Sequence, residues 1–396
     1  MTREVGTSAD SAGGDEPNPV DARLRDECSV EATIEPGAEI LILGGGQLGR
    51  MLCEAASRLG MRCAVYSDAV ENPAFDVAAR TTVGAYDDTA ALLAFARGAA
   101  VATYEFENVP VAAADALANH LPVRPGPLAL RVAQDRLAEK RFISERCGQA
   151  VAPFQPIDRL SELPNALAQL DGEALIKTRR FGYDGKGQAR VRAGDGLEAA
   201  ADVLALGPCI VERRVSFACE VSVLNVRSIA GENVAFDIPW NEHSGGILRR
   251  STVPSGLPDA ALEEARSLAS RIADELGYVG VLAVELFYCP GSPLAKGGSF
   301  LVNEIAPRVH NSGHWTQDGC VIDQFEAHIR AIAGWPIGDL ARHSDVVMHN
   351  LIGDDMASWR DHAARPSTAL HLYGKSAPRP GRKMGHVNVV QQRTRG

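Results

Sequence analysis

Glu285 and Glu304 each interrupt an apolar run, the first within residues 281–287 and the second within 300–305. A Pro- and Gly-bearing loop joins the two runs, so a hairpin would set both acids on one face. A carboxylate inside an apolar strand is costly unless it is paired or metal-bound. A hard divalent cation would remove the mutual repulsion. Mg2+ suits such a pair, because it takes one or two carboxylates and completes its octahedron with water and phosphate oxygens. The plainer alternative is two glutamates on a solvated face.

Phosphate chemistry is suggested upstream. Phe181-Gly182-Tyr183-Asp184-Gly185-Lys186-Gly187 carries three glycines in seven residues, which lets backbone approach a polyphosphate and close over it. It lacks the G-x-x-x-x-G-K-[ST] pattern of a P-loop, and taken alone it reads equally well as a hairpin turn. Lys177 ends the apolar run before it, where a cation can meet phosphate oxygens. Ile210-Val211-Glu212, followed by Arg213-Arg214-Val215, ends a strand whose main chain can face an adenine edge, and Glu220 can accept from ribose hydroxyls. Solvated strand-edge acids explain either glutamate as well. After Glu304 come Arg308, His310, Asn311, Ser312 and His314, read as substrate contacts near the metal. For His314 and Trp315 a packed loop is an equal alternative.

A second glycine pattern lies near the start of the ordered chain. Gly44-Gly45-Gly46-Gln47-Leu48-Gly49 satisfies G-x-G-x-x-G after a strand, and Asp68 stands near the end of the next strand. A nicotinamide-dependent dehydrogenase would use both, but it leaves Lys177, Glu285 and Glu304 without a role. A substrate phosphate could use the same backbone N–H groups at a helix N-terminus. Glycines needed only for a tight turn are the third reading.

The elements that must position these groups fall into parts. Residues 39–131 alternate strand and helix (strands at 39–43, 62–66 and 99–104), which implies an α/β domain on a parallel sheet. Residues 132–340 hold a helix at 135–147, strands at 174–177, 209–212, 220–226, 234–237, 281–287 and 300–305, and a helix at 258–276. This is an α+β pattern on antiparallel sheet. Residues 341–396 form a small β-rich C-terminal domain with strands at 346–351, 369–372 and 387–390.

Residues 1–38 carry a net charge of −6 out of the chain's −10 and few apolar clusters, so disorder is expected there. They match neither a secretory signal nor a transit peptide, and cytoplasmic localisation is expected. The eight cysteines include no C-x-x-C pair and read as buried free thiols. No apolar run reaches the ~20 residues of a membrane span. No basic patch points to nucleic acid.

Together these features resemble the ATP-grasp superfamily. The resemblance sharpens on Gly-Gln-Leu-Gly-Arg-Met (46–51), Tyr-Asp-Gly-Lys-Gly-Gln (183–188), Gly-Tyr-Val-Gly-Val (277–281), Asn-Glu-Ile-Ala-Pro-Arg-Val-His-Asn-Ser-Gly-His-Trp-Thr (303–316) and Arg-Pro-Gly-Arg-Lys-Met-Gly-His (379–386). These segments are similar to the 5-(carboxyamino)imidazole ribonucleotide synthase family of purine biosynthesis, over about residues 39–390. The resemblance implies an ATP- and bicarbonate-dependent ligase that carboxylates 5-aminoimidazole ribonucleotide through carboxyphosphate, with Mg2+, as a homodimer.

It also implies residue roles. Arg136 and Lys177 would bind ATP phosphates under the loop formed by Gly182, Tyr183, Gly185, Gly187 and Gln188. Glu212 and Val215 would flank adenine, Glu220 would take the ribose, and His243 and Asn303 would complete the nucleotide site. Glu285 and Glu304 would hold Mg2+. Asp184, Lys186 and Arg308 would serve catalysis, Asp184 by receiving or orienting the amine proton. Gln47, Leu48, His310, Asn311, Lys375, Arg382 and Lys383 would bind the ribonucleotide.

Two departures from the family pattern stand out. Arg180-Phe181-Gly182 replaces the Gly-Gly with which the loop often opens, and a shortened C-terminal domain is expected because the chain ends soon after Val390. Another ATP-grasp ligase, such as a formate-dependent transformylase, is the alternative within the superfamily. A non-catalytic nucleotide-binding regulator is the alternative outside catalysis.

Overall fold

Four parallel strands open the fold: β1 (Glu39–Leu43), β2 (Arg62–Ser67), β3 (Arg80–Val83) and β4 (Ala99–Tyr104), in the order β3-β2-β1-β4. The structure is a computed structural model and describes residues 1–2, 33–182 and 185–394. Tyr183, Asp184 and nearly all of the acidic N-terminal segment lie outside the described residues. β1 and β2 are buried almost end to end, as strands covered on both faces must be. The helix Gln47–Arg58 follows β1. It buries Leu48, Met51, Leu52, Ala55 and Ala56, the i, i+3, i+4, i+7, i+8 stripe that faces a core. Its last residue, Arg58, donates to Asp323 at 2.6 Å.

A second, small sheet holds β5 (Phe154–Ile157), β6 (Glu173–Thr178), β7 (Gln188–Arg192) and β8 (Cys209–Arg213), ordered β5-β8-β6-β7 and antiparallel. The large sheet contains nine strands: β9 (Cys219–Arg227), β10 (Asn233–Ala235), β11 (Trp240–Ser244), β12 (Ile247–Val253), β13 (Gly280–Tyr288), β14 (Phe300–Ala306), β15 (Ser344–Ile352), β16 (Thr368–Leu372) and β17 (Lys383–Gln392). Its order is β14-β13-β9-β11-β12-β15-β17-β16, with β10 on β9.

Alternation along β9 covers both faces of this sheet. Val221 and Val223 pack with Ala265, Leu268, Ala269 and Ile272 of the helix Asp259–Glu275. Leu224 and Val226 join Phe325, Ile329 and Ile332 of the helix Gln324–Ile332. Asp323 caps that second helix by accepting the Phe325 and Glu326 N–H groups.

Two details depart from the sequence expectation. The helix expected over 135–147 is α-helical only over Arg136–Arg141 and widens to a π-turn over Phe142–Arg146. The Ser144 hydroxyl donates back to the Lys140 carbonyl at 2.7 Å, in the manner that loosens a helix. The hairpin β11–β12 was not anticipated. It bridges β9 to β15, so the C-terminal strands continue the central sheet and β17 lies inside it, between β15 and β16.

Candidate active site

A cleft of about 370 Å³ opens between the small and large sheets. Glu285 on β13 and Glu304 on β14 both line it, directly opposite one another in the antiparallel register. Burial and then the facing Glu304 push the Glu285 carboxyl above its usual range. Glu304 is held below its usual range, because Arg136, donating to it at 2.8 Å, outweighs burial. The two acids therefore differ in how firmly they keep a negative charge, although they sit side by side.

Cations crowd the same wall. Lys177, at the end of β6, lines the cleft and donates to Glu212 on β8 at 3.1 Å. Glu212 sits behind that wall. Its Oε2 also pairs with the fully buried Lys140 at 3.3 Å, while its buried Oε1 has no partner among the described residues. Against the effect of burial, Lys140, Lys177 and Arg136 hold the Glu212 carboxyl down at about 2. Lys140 also donates to the Asn303 carbonyl at 2.7 Å, which ties β14 to β8. Gly182 and Gly185 reach the cleft from the loop between β6 and β7, Gln188 from the first position of β7, and Asn303 from β14. Gly187 has φ +68, and a Cβ there would lie 2.7 Å from Thr178 Oγ1, so the loop needs glycine at this point. Lys186 is exposed and is not among the lining residues.

The far end is apolar, then polar. Phe217 and Phe287 stack with centroids 4.6 Å apart and planes within 10°. Beside them His243 Nδ1 lies 2.8 Å from Glu220 Oε2. Val215 packs against the small apolar cluster of Ala150, Cys289 and Leu301.

On the opposite side Arg308 donates to Glu107 at 2.5 Å, and both line the cleft. His310 Nε2 is 3.2 Å from Glu285 Oε1. Burial, then Arg308 and Lys383, hold its imidazole well below the ordinary value. Asn311 is buried and lines the cleft, with neither end of its amide partnered among the described residues.

The glycine turn at 44–49 is not an open anion site. Glu105 accepts the Gly46 N–H at 2.6 Å and the Gly49 N–H at 2.9 Å, so a carboxylate of the chain itself occupies the helix N-terminus. A Cβ on Gly45 would lie 2.1 Å from Asn72 Oδ1, so the turn is packed shut on that side too. In this structure the Gly46 and Gly49 N–H groups are thus taken by Glu105, where a substrate phosphate or a dinucleotide pyrophosphate was expected to bind them. Leu48 is buried in the core, which leaves only its main chain for a ligand. Lys375, Arg382 and Lys383 gather nearby: Arg382 pairs with Glu71 at 2.9 Å, and Lys375 donates to the Lys383 carbonyl at 2.8 Å.

Sequence reasoning missed Glu105, Glu107, Lys140, Phe217 and Phe287. Glu105 and Glu107 follow directly on β4, at the carboxyl end of a parallel strand where open α/β sheets bind ligands, and that position was the available signal. Lys140 lies one helical turn after Arg136 and shares its face.

Residues 38–134 match the ribonucleotide synthetase preATP-grasp domain, 143–325 the ATP-grasp domain, and 346–395 the phosphoribosylaminoimidazole carboxylase C-terminal domain. The N5-carboxyaminoimidazole ribonucleotide synthase of Brucella melitensis is 46% identical over 366 residues, covering 92% of this chain and 99% of that protein.

The chain belongs to the N5-carboxyaminoimidazole ribonucleotide synthase family.

The N5-carboxyaminoimidazole ribonucleotide synthase of Bacillus subtilis is 40% identical, over 91% of this chain and 93% of its own. A solved N5-carboxyaminoimidazole ribonucleotide synthetase in complex with ADP superposes with a TM-score of 0.85 at 39% identity, covering 91% of this chain and 94% of that one. An N5-carboxyaminoimidazole synthase from Aspergillus clavatus, solved with ADP and 5-aminoimidazole ribonucleotide, superposes with a TM-score of 0.82 at 29% identity, covering 90% and 94%.

Proposed function

We propose that this chain couples ATP cleavage to carboxylation of the exocyclic amine of 5-aminoimidazole ribonucleotide by bicarbonate. The observation that carries this reading is the in-register Glu285/Glu304 pair with Arg136 and Lys177 beside it, in a cleft whose other wall presents Arg308, His310 and Asn311. Bicarbonate oxygen attacks the γ-phosphorus of ATP, and ADP leaves. The amine nitrogen of the ribonucleotide then bonds to the carboxyl carbon of carboxyphosphate, phosphate leaves, and the amine gives up a proton.

Lys177 and Arg136 stabilise the charge that spreads over the transferring phosphoryl group. The loop of Gly182, Tyr183, Gly185, Gly187 and Gln188 covers it and excludes the water that would hydrolyse an acyl phosphate. Glu212 and Val215 flank the adenine through their main chain, beside Phe217 and Phe287. Glu220, His243 and Asn303 hold the rest of the nucleoside.

Two facing carboxylates of unequal basicity fit Mg2+, which needs no third protein ligand, and among the described residues no cluster of three or more metal-binding side chains competes for it. Held by Glu285 and Glu304, Mg2+ would polarise phosphoryl oxygens. Lys375, Arg382 and Lys383 receive the 5′-phosphate. Lys375 is held down at about 8 by burial and by Arg382, and a phosphate dianion would relieve that crowding of cations. Gln47 and Leu48 approach the same substrate through main chain. Asp184 takes or orients the amine proton, with Lys186 and Arg308 assisting. The working form we propose is a cytoplasmic homodimer, as the family resemblance implies.

The test is carbon-13 NMR with labelled bicarbonate. A carbamate signal on the ribonucleotide should require ATP, bicarbonate and ribonucleotide together. ADP formation without a carbamate would contradict the reading.

A further inference from the structure

His310 meets the cleft through one nitrogen and the protein interior through the other. Nδ1 receives the backbone N–H of Ser312 at 3.3 Å. A main-chain amide can only donate, so Nδ1 must present its lone pair. The Ser312 hydroxyl lies 2.9 Å from the same nitrogen and therefore donates to it as well.

That assignment fixes every bond behind it. Ser312 Oγ accepts from Ser222 Oγ at 2.7 Å, Ser222 Oγ accepts from Asn241 Nδ2 at 2.9 Å, and Asn241 Oδ1 accepts from Ser251 Oγ at 2.7 Å. All four residues are buried. Ser222, Asn241 and Ser251 stand on the adjacent strands β9, β11 and β12, and Ser222 is also the cross-strand neighbour of Glu285. A buried chain with all donors pointing one way polarises its members and locks the last one.

We infer that His310 is held as the neutral tautomer with its proton on Nε2, and that it acts as a hydrogen-bond donor into the cleft, not as the base that takes the amine proton. A neutral imidazole with a lone pair on Nδ1 must carry its hydrogen on Nε2, the atom 3.2 Å from Glu285 Oε1. The Nε2–H orients that carboxylate, or an oxygen of the group being transferred. The side chains of Ser312, Ser222, Asn241 and Ser251 are positioning groups that reinforce the tautomer set by the Ser312 amide. This assignment rests on the carboxylation reading only for the identity of the transferred group.

The test is long-range proton–nitrogen NMR on the full chain labelled with nitrogen-15 histidine, with the His310 signals identified by their loss in His310→Gln. The expected wild-type spectrum shows Nδ1 of the unprotonated type and Nε2 of the protonated type, without any substrate present. In Ser312→Ala only the long 3.3 Å bond from the residue-312 amide still favours that tautomer, so a second, minor set of signals with Nδ1 protonated should appear beside the first. Its kcat should fall by about tenfold, the scale of one lost hydrogen bond to a reacting site, while KM for ATP stays within about twofold. Ser222→Ala, one link further back, should move the same signals in the same direction and serves if Ser312→Ala does not fold. A protonated Nδ1 in the wild type would overturn the inference, as would loss of kcat in both variants with the His310 signals unmoved. Because the tautomer is read without substrates, its failure is distinct from failure of the carboxylation reading, which wild-type product formation decides.

Discussion

Glu285 and Glu304 face each other in register across β13 and β14, one carboxyl pushed up and the other held down. Side by side they repel, and the cleft they line offers the cations Lys177 and Arg136 within the same wall. If the pair holds Mg2+, Glu304→Gln removes a ligand and should lower turnover by roughly a thousandfold, the scale of several kcal/mol of lost charge stabilisation. ADP release measured over a Mg2+ titration checks this. A variant that keeps more than a tenth of wild-type turnover with an unshifted Mg2+ dependence would remove Glu304 from the metal site.

Lys140 and Glu212 form an ion pair buried on both sides, at 3.3 Å. Lys140→Met leaves part of a carboxylate's charge uncompensated and should cost about 3–5 kcal/mol. The double variant Lys140→Met/Glu212→Gln should be less destabilised than Lys140→Met alone, because the buried carboxylate is gone and only Lys177, at the cleft wall, loses a partner. Urea unfolding of both variants measures the coupling. Equal losses in the two would show that the pair contributes no more than its packing.

The pair also shows where sequence reasoning ran out. Glu285 and Glu304 were legible because each interrupts an apolar run, and a short loop forces the two runs into a hairpin. Glu105 was not, since a glycine fingerprint reveals a helix N-terminus but not what fills it, and the occupant comes from the end of β4. β11 and β12 escaped notice for another reason. Their sequences, WNEHS and ILRRSTV, show no clean alternation, because Asn241 and Ser251 are buried in hydrogen bonds while Trp240 is exposed. Without that hairpin nothing in the sequence reveals that the strands of the small C-terminal domain pair onto the central sheet through β12 and β15.

Lys375 sets a pH dependence. Its ammonium is held down at about 8 by burial and by Arg382. Below that pH it is a cation able to attract the substrate phosphate, and above it the charge is lost. The kcat/KM for the ribonucleotide should therefore fall as pH rises through about 8, and the kcat/KM for ATP should lack that inflection. Lys375→Met should remove it from the ribonucleotide profile. A wild-type profile for the ribonucleotide that stays flat from pH 7 to pH 9 would exclude Lys375 from phosphate binding.

Gly187 tests the lid. Its φ of +68 and the 2.7 Å approach to Thr178 Oγ1 leave no place for a side chain. Gly187→Ala should distort the loop at a cost of about 1 kcal/mol or more, raising KM for ATP roughly fivefold or more and leaving KM for the ribonucleotide nearly unchanged. Steady-state kinetics with each substrate varied in turn separates the two. Equal increases in both constants would place the loop over both substrates.

The central claim is that ATP is cleaved in order to carboxylate the ribonucleotide. Phosphate release by the purified chain, measured with ATP, Mg2+, bicarbonate and 5-aminoimidazole ribonucleotide and with each omitted in turn, tests it most directly. The account predicts that release is fast only with the complete set and drops sharply when the ribonucleotide or bicarbonate is withheld. Release that proceeds at the same rate without the ribonucleotide would contradict it.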